Sequence, residues 1–162
     1  MDLESFESVE RWLVKVAKRT RSENTRRAYL RWLDAYCAYV GMDPNQLISA
    51  RRVDLKSEDI AVKMRHEELL DRFVFAYLEK ERGYSRNTCA LAYNAVRSFY
   101  DHNYVRLSVK APETWVEKRS RRLKREELKA LVDALKSPMH RAYVLCQAQS
   151  GLSISDLLKI TY

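Results

Sequence analysis

Each of the three glycines in this 162-residue chain directly follows a stretch in which apolar residues recur every three or four positions. Gly41, Gly83 and Gly151 therefore stand where glycine often ends a helix, because it adopts a left-handed backbone conformation without strain. Only three prolines accompany them, which leaves little material for tight β-turns. The sequence therefore predicts an all-α fold.

The apolar periodicity divides the chain into a series of predicted helices. Asp43-Pro44 and Ser137-Pro138 each pair an N-cap residue with a first-turn proline. A loop is expected over about 51–55. The predicted helices cover about residues 2–18, 24–40, 44–48, 57–82, 86–102, 123–135, 139–149 and 153–158.

Two of these helices carry polar outer faces whose composition suits DNA. Arginine and asparagine make bidentate contacts with guanine and adenine edges, and arginine also contacts phosphates. The plain alternative is a solvated surface. The candidate DNA-binding residues on these faces are Arg26, Arg27, Arg31, Arg86, Asn87, Tyr93, Asn94 and Arg97. Aromatic residues on the apolar stripes are assigned instead to the core, namely Trp12, Tyr29, Trp32 and Tyr36.

Most of the net charge of +8 lies in one connecting segment. Residues 1–103 hold 18 Lys/Arg against 16 Asp/Glu, whereas residues 104–125 hold 8 against 2. A basic stripe of this kind suits a phosphate backbone, although a solvated linker has the same composition. The favoured interpretation is phosphate contact by Lys118, Arg119, Arg121 and Arg122.

Several classes of protein are disfavoured by the same sequence. No apolar run approaches the roughly 20 residues of a membrane span, and the acidic N-terminus is unlike a signal peptide. Cys37, Cys89 and Cys146 are widely spaced within helical patterns, which predicts buried free thiols in a reducing compartment. No Cys or His pairing is typical of a zinc site. We expect no metal, cofactor, small-molecule ligand or membrane partner.

Three phrases, in this order, resemble the tyrosine recombinases, the phage-integrase family. SENTRRAYLRWLDAYCAYVG, residues 22–41, is similar to the opening helix of that family's core-binding domain. GYSRNTCALAYNAVRSFYDH, residues 83–102, is similar to a later helix of the same domain. The stretch 123–162, with SGLSISDLLKITY at its end, resembles the start of the catalytic domain.

The resemblance implies a division into three parts. Residues 1–105 would form a SAM-like core-binding helical bundle, 106–122 a basic interdomain linker, and 123–162 the truncated first helices of the catalytic domain. The family clamps double-stranded DNA between its two domains and self-associates on it. A DNA-binding protein of integration or recombination is therefore expected, cytoplasmic and nucleoid-associated, of prokaryotic or viral origin.

The same resemblance implies that this chain does not cleave DNA by itself. The family uses a tyrosine nucleophile, with arginines and a lysine that stabilise the phosphoryl charge and histidines that assist proton transfer. Ser153 stands where the first catalytic arginine would follow Gly-Leu, while Asp156 matches the acidic position. Serine lacks the charge and fork of a guanidinium. Tyr162 comes too early to be the nucleophile. No catalytic residue is assigned, although a longer parent would be a tyrosine recombinase.

Three alternatives stay open at this point. The chain is a helical protein-interaction module without a role at DNA, a natural short form that competes with an active recombinase, or a DNA-binding regulator of a different helical type. Binding to duplex DNA at low salt distinguishes the first of these from the other two.

Overall fold

The computed structural model of the protein describes residues 2–19, 22–109 and 123–159. Every regular element in these ranges is helical, so the prediction of an all-α fold is confirmed for this part of the chain. The chain divides into two units, Met1–Trp115 and Val116–Tyr162. None of the helices within the described ranges is long and apolar enough to cross a lipid bilayer.

The first unit is built from six α-helices and one π-helix in its described part. A short 3₁₀ turn, Leu3–Ser5, precedes them. The elements are α1 (Glu7–Arg19), α2 (Glu23–Val40), α3 (Pro44–Asp54), α4 (Ile60–Lys63), α5 (Arg65–Asp71), the π-helix (Arg72–Glu81) and α6 (Arg86–His102).

Local signals set most of the helix ends. The side chain of Asp43 accepts from the Gln46 backbone N–H at 2.8 Å, and Gln46 accepts in return from the Asp43 N–H at 3.0 Å. This reciprocal capping box, with Pro44 in the first turn, begins α3 as predicted. The Ser85 hydroxyl caps α6 by accepting from the Thr88 backbone N–H. Gly41 ends α2 with a φ of +75°, a conformation that side chains rarely adopt.

Helix α3 is longer than predicted. The sequence indicated a helix that ends near residue 48 and a loop over 51–55, yet α3 continues to Asp54. Arg51 and Asp54, only 2% and 4% exposed, occupy core-facing positions of its last turns. Charged residues at core-facing positions interrupt the apolar periodicity from which a helix is predicted. The prediction of a loop is wrong for this reason.

The core of the first unit lies between α2 and α6, with α1 and the π-helix packed around them. Aromatic rings fill much of it. Tyr36 meets Phe73 edge-on at 5.3 Å between ring centroids, and Trp12 meets Phe99 at 5.6 Å. Trp12, Trp32 and Tyr36 are buried, in agreement with their assignment to the core. Such edge-to-face pairs stabilise a core beyond the apolar area that they bury.

The segment after α6 belongs to this core as well. Residues from 106 onward were predicted to be linker, but Leu107 is only 1% exposed and packs with Val105 in the core. The backbone on either side of Leu107 is held too, because Arg51 donates to the Arg106 carbonyl at 3.3 Å and the Ser108 N–H donates to Glu67 at 3.2 Å. The predicted start of the linker is therefore too early.

A buried ion pair lies beneath this segment. Arg51 and Glu67, each only 2% exposed, form a bidentate pair with N–O distances of 2.5 and 2.8 Å. Arg51 also donates to the Lys63 carbonyl. Further partners of this kind are needed, because the attraction between two buried charges does not by itself reliably offset the loss of their hydration.

His66 extends the buried polar group toward α6. Its Nδ1 is hydrogen-bonded to the Tyr100 hydroxyl at 2.9 Å, and its Nε2 lies 3.4 Å from Asp54. Burial lowers the pKa of His66, and the Asp54 carboxylate opposes that shift. The other charged groups that act on the His66 ring are Arg51, Arg65 and Glu67. The neutral imidazole is therefore the form that the folded protein favours.

This preference predicts an acid-sensitive step in stability. Because the pKa of folded His66 is lowered from 6.5, the unfolded chain binds more protons here as the pH falls below about 6.5. The stability that neutral His66 contributes is fully present above that pH and is lost below it. We expect the urea midpoint to fall as the pH drops below about 6.5, and to fall less in His66→Gln. If the urea midpoint fell equally with pH in the unaltered chain and in His66→Gln, this prediction would be contradicted.

The second unit has little core of its own within the described range 123–159. Its helices are α7 (Arg125–Ala134), α8 (Pro138–Ser150) and α9 (Ile154–Leu157). Leu157 is the only buried apolar residue in that range. Cys146 is exposed, so the prediction of a buried thiol is wrong there, whereas Cys37 and Cys89 are buried. Burial raises the pKa of the Cys37 thiol to about 12, which makes it unreactive.

Candidate nucleic-acid interface

The predicted DNA-binding residues outside the linker lie on α2 and α6, and these two helices pack against each other. The Trp32 ring of α2 meets the ring of Tyr84, just before α6, edge-on at 5.6 Å. The two helices that carry the predicted polar faces are therefore neighbours in the first unit.

The arginines of α2 differ in how freely they can bind. Arg26 lies between two carboxylates, 2.5 Å from Glu4 and 3.3 Å from Glu23. Arg27 is 75% exposed, and its ion pair with Glu23 is long, at 3.5 Å. Arg31 is exposed, with its guanidinium 5.4 Å from the centroid of the Trp32 ring. Because exposed pairs of this kind are weak, Arg27 and Arg31 can exchange them for phosphates.

The polar residues of α6 are mostly accessible. Arg86, Asn87 and Asn94 are exposed, and Arg97 is partly exposed. Arg86 lies 3.7 Å from Glu79 of the π-helix. Among the residues that the structure describes, no carboxylate lies within ion-pair distance of Arg97. This guanidinium is therefore open to an external anion.

Tyr93 does not belong to this surface. It is 1% exposed, and its neighbour Ala90 is 2% exposed, whereas Leu91 is 40% exposed. Helix α6 contacts α1, α2 and the π-helix, so more of its circumference is buried than a single apolar stripe would cover. For the same reason, the middle of the buried surface lies at a different position around the helix. Burial raises the pKa of the Tyr93 hydroxyl, and nearby Asp71 adds to the shift. The prediction that Tyr93 faces outward to contact DNA is therefore wrong.

An open groove of about 400 Å³ lies between α2 and α6. Tyr29 of α2 forms one wall, and α6 residues between Leu91 and His102 form the other, with Asn94 and Arg97 among them. Tyr29 was assigned to the core, but it is only partly buried. Its ring stacks on Trp12 of α1 at 5.9 Å between centroids and 10° between planes. The groove thus joins an aromatic surface to polar and cationic groups.

Contacts from α1 fix the side of the groove nearest the end of α6. Trp12 Nε1 donates to Ser98 Oγ at 3.1 Å, and Lys15 Nζ donates to the His102 carbonyl at 3.0 Å. His102 Nδ1 lies 2.7 Å from the Ser98 carbonyl, which only accepts, so Nδ1 carries the hydrogen. Sequence reasoning gave no role to His102 or Ser98. Their spacing of four residues places them on the same face of α6, and this feature of the sequence indicates that they can contact each other.

Two further predicted features lie away from this groove. Lys118, Arg119, Arg121 and Arg122 fall outside the described residues. Ser153 caps α9, since its hydroxyl accepts from the Asp156 backbone N–H at 3.3 Å and donates to the Asp156 carboxylate at 2.7 Å. The short helix predicted to begin near Ser153 is present as α9. A serine hydroxyl engaged in this way has no cationic character.

The site therefore offers two exposed arginines on α2, two exposed asparagines on α6, and a groove between the helices. It also includes Arg97, which has no ion-pair partner among the residues that the structure describes. Although Glu23, Glu79 and Asp101 lie among these groups, exposed guanidinium and amide donors suit a polyanion. No protein-family model, curated protein or solved structure matches the chain.

Proposed function

We propose that this chain binds duplex DNA through α2 and α6, as the core-binding part of a tyrosine recombinase-like protein. One observation carries the proposal: Arg97, which has no carboxylate within ion-pair distance in the described part of the chain, lies beside Asn94 in a groove flanked by α2. Guanidinium and amide donors at a helix surface can contact both phosphates and base edges.

The basic linker adds electrostatic attraction to the proposed DNA binding. Its basic residues follow the helices of the first unit along the chain, and in this proposal they contact phosphates of the same duplex. Phosphate contacts of this kind position a protein on DNA without reading sequence. In this proposal, base recognition is assigned to α6 and most of the affinity at low salt is assigned to the linker.

The proposed activity stops at binding. A phosphoryl-transfer site needs fixed cations where charge develops on the phosphate oxygens. At the position where the family resemblance expects the first of these cations, this chain has Ser153, whose hydroxyl is hydrogen-bonded to Asp156. We therefore expect no covalent adduct between this chain and DNA, and a denaturing gel after incubation with duplexes checks this.

The test of DNA binding is a fluorescence-anisotropy titration of random duplexes with the full chain at two salt concentrations. Arg97→Gln is expected to weaken binding and to reduce the log–log salt slope by about 0.9, the value of one phosphate contact. Arg72→Gln is the matched control, because Arg72 is an exposed arginine on the π-helix. Absence of binding at low salt, or equal losses in both variants, would contradict the proposal.

A protein-interaction module is the second candidate, and one observation favours it. In the described part of the second unit, large apolar side chains are exposed, among them Met139, Ile154 and Leu158 at 59%, 61% and 62%. Exposed apolar residues at this density are typical of surfaces that another chain covers. If the chain does not bind DNA at low salt, a role as a protein-interaction module is the better-supported function.

A further inference from the structure

The groove between α2 and α6 combines features that a paired duplex does not use. One wall is the Tyr29 ring, and the other carries Asn94 and Arg97. In a paired duplex the faces of each base are covered by its neighbours in the stack. An aromatic wall can therefore stack only on a base that has left the helix.

Tyr29 is built as a rigid platform. One face of its ring lies nearly parallel to Trp12, with 10° between the planes, and Trp12 is fully buried. Tyr29 is only partly buried and lines the groove, so part of the residue is accessible there. Trp12 is itself fixed by its hydrogen bond to Ser98. A ring supported in this way loses little conformational freedom when a base stacks on it.

The opposite wall supplies the polar groups that a nucleotide needs. Asn94 is exposed and offers both a donor and an acceptor to a base edge. Arg97 lacks an ion-pair partner among the described residues, and a phosphate can take that place. Asp101, the acid that lines the groove, lies 3.5 Å from Arg106 in an exposed pair that only partly offsets its charge. The volume of about 400 Å³ falls within the usual range for small-ligand pockets.

We infer that this groove holds one unpaired nucleotide of the bound DNA, with its base stacked on Tyr29 and its phosphate paired with Arg97. The inference rests on the proposed DNA binding and adds a preference to it. The chain would bind DNA that contains an unpaired base more tightly than the same fully paired duplex.

The experiment compares three duplexes of one sequence: fully paired, with one extra unpaired adenine, and with an abasic residue in place of that adenine. The adenine duplex is expected to bind about tenfold more tightly than the paired one, the effect of one base–aromatic stack. The abasic duplex should bind like the paired one. Equal affinity for the adenine and abasic duplexes would show that only deformability is recognised, and would overturn the inference.

Two variants of Tyr29 test whether its ring causes the preference for the unpaired adenine. Tyr29→Phe keeps the aromatic face and should keep the preference for the unpaired adenine, whereas Tyr29→Leu should lose that preference. A preference that survives in Tyr29→Leu, once circular dichroism shows native helix content, would overturn the inference. A measurement on the unaltered chain is independent of folding: 2-aminopurine at the unpaired position should be quenched when it stacks on Tyr29, and unchanged fluorescence would contradict stacking.

The outcomes separate the two proposals. Salt-dependent binding of the paired duplex without any preference for the unpaired adenine removes this inference and leaves the proposed function in place. Failure to bind any of the three duplexes at low salt removes both.

Discussion

Replacing Glu67 by glutamine is expected to lower the free energy of unfolding by about 3–5 kcal/mol, the usual effect of breaking a buried ion pair. The neutral amide leaves the Arg51 guanidinium, only 2% exposed, without its counter-charge inside the core. It also weakens the acceptor that holds the Ser108 backbone N–H. Urea denaturation of the full chain, followed by circular dichroism, measures the change.

The neighbouring residue provides the control. Glu68→Gln removes a carboxylate from the same helix, but Glu68 is exposed and lies 3.5 Å from the exposed Arg72. Its effect should stay within about 0.5 kcal/mol. The double variant Arg51→Met/Glu67→Leu should recover much of the loss, because no lone charge remains buried. A loss below about 1 kcal/mol in Glu67→Gln would mean that the pair is hydrated and not buried as described.

The second large effect is expected in the linker. Neutralising Lys118, Arg119, Arg121 and Arg122 together should weaken binding to every duplex and flatten the log–log salt slope by about 3.6 if each contacts a phosphate. At about 0.1 M salt this slope corresponds to a loss on the order of a thousandfold. Since phosphates are the same in every sequence, the loss should not depend on the DNA chosen.

A matched set of four cations tests whether the position of the charges matters. Lys129, Lys136, Arg141 and Lys159 are exposed in the second unit, outside the linker, and their neutralisation changes the net charge by the same amount. This control should alter the slope far less than the linker variant does. An unchanged slope in the linker variant would contradict the assignment of phosphate contacts to these residues.

The features predictable from sequence are those that a few neighbouring residues determine. Asp43 and Ser85 cap helices because their side chains reach backbone donors three residues away, and Gly41 ends α2 through its own backbone freedom. None of these depends on the rest of the fold. The helix ends that such residues set therefore agree with the sequence to within about two residues.

The features that sequence missed depend on which elements pack together. The burial of Tyr93 follows from the combined contacts of α6 with α1, α2 and the π-helix, which a single helical wheel does not contain. The helical state of Arg51 follows from a partner 16 residues away, Glu67. Tyr29 forms a groove wall only because Trp12 of α1 lies against one face of its ring. The site could therefore be assigned to α2 and α6 in advance, but not its shape.

The way in which the chain leaves the first unit has a mechanical consequence. The Arg106 carbonyl and the Ser108 N–H are tied to the two members of the buried ion pair, and Leu107 between them is in the core. Tension applied to the chain beyond Val109 would load these hydrogen bonds before it reached the end of α6. Part of the force would pass into α3 and α5, which supply Arg51 and Glu67.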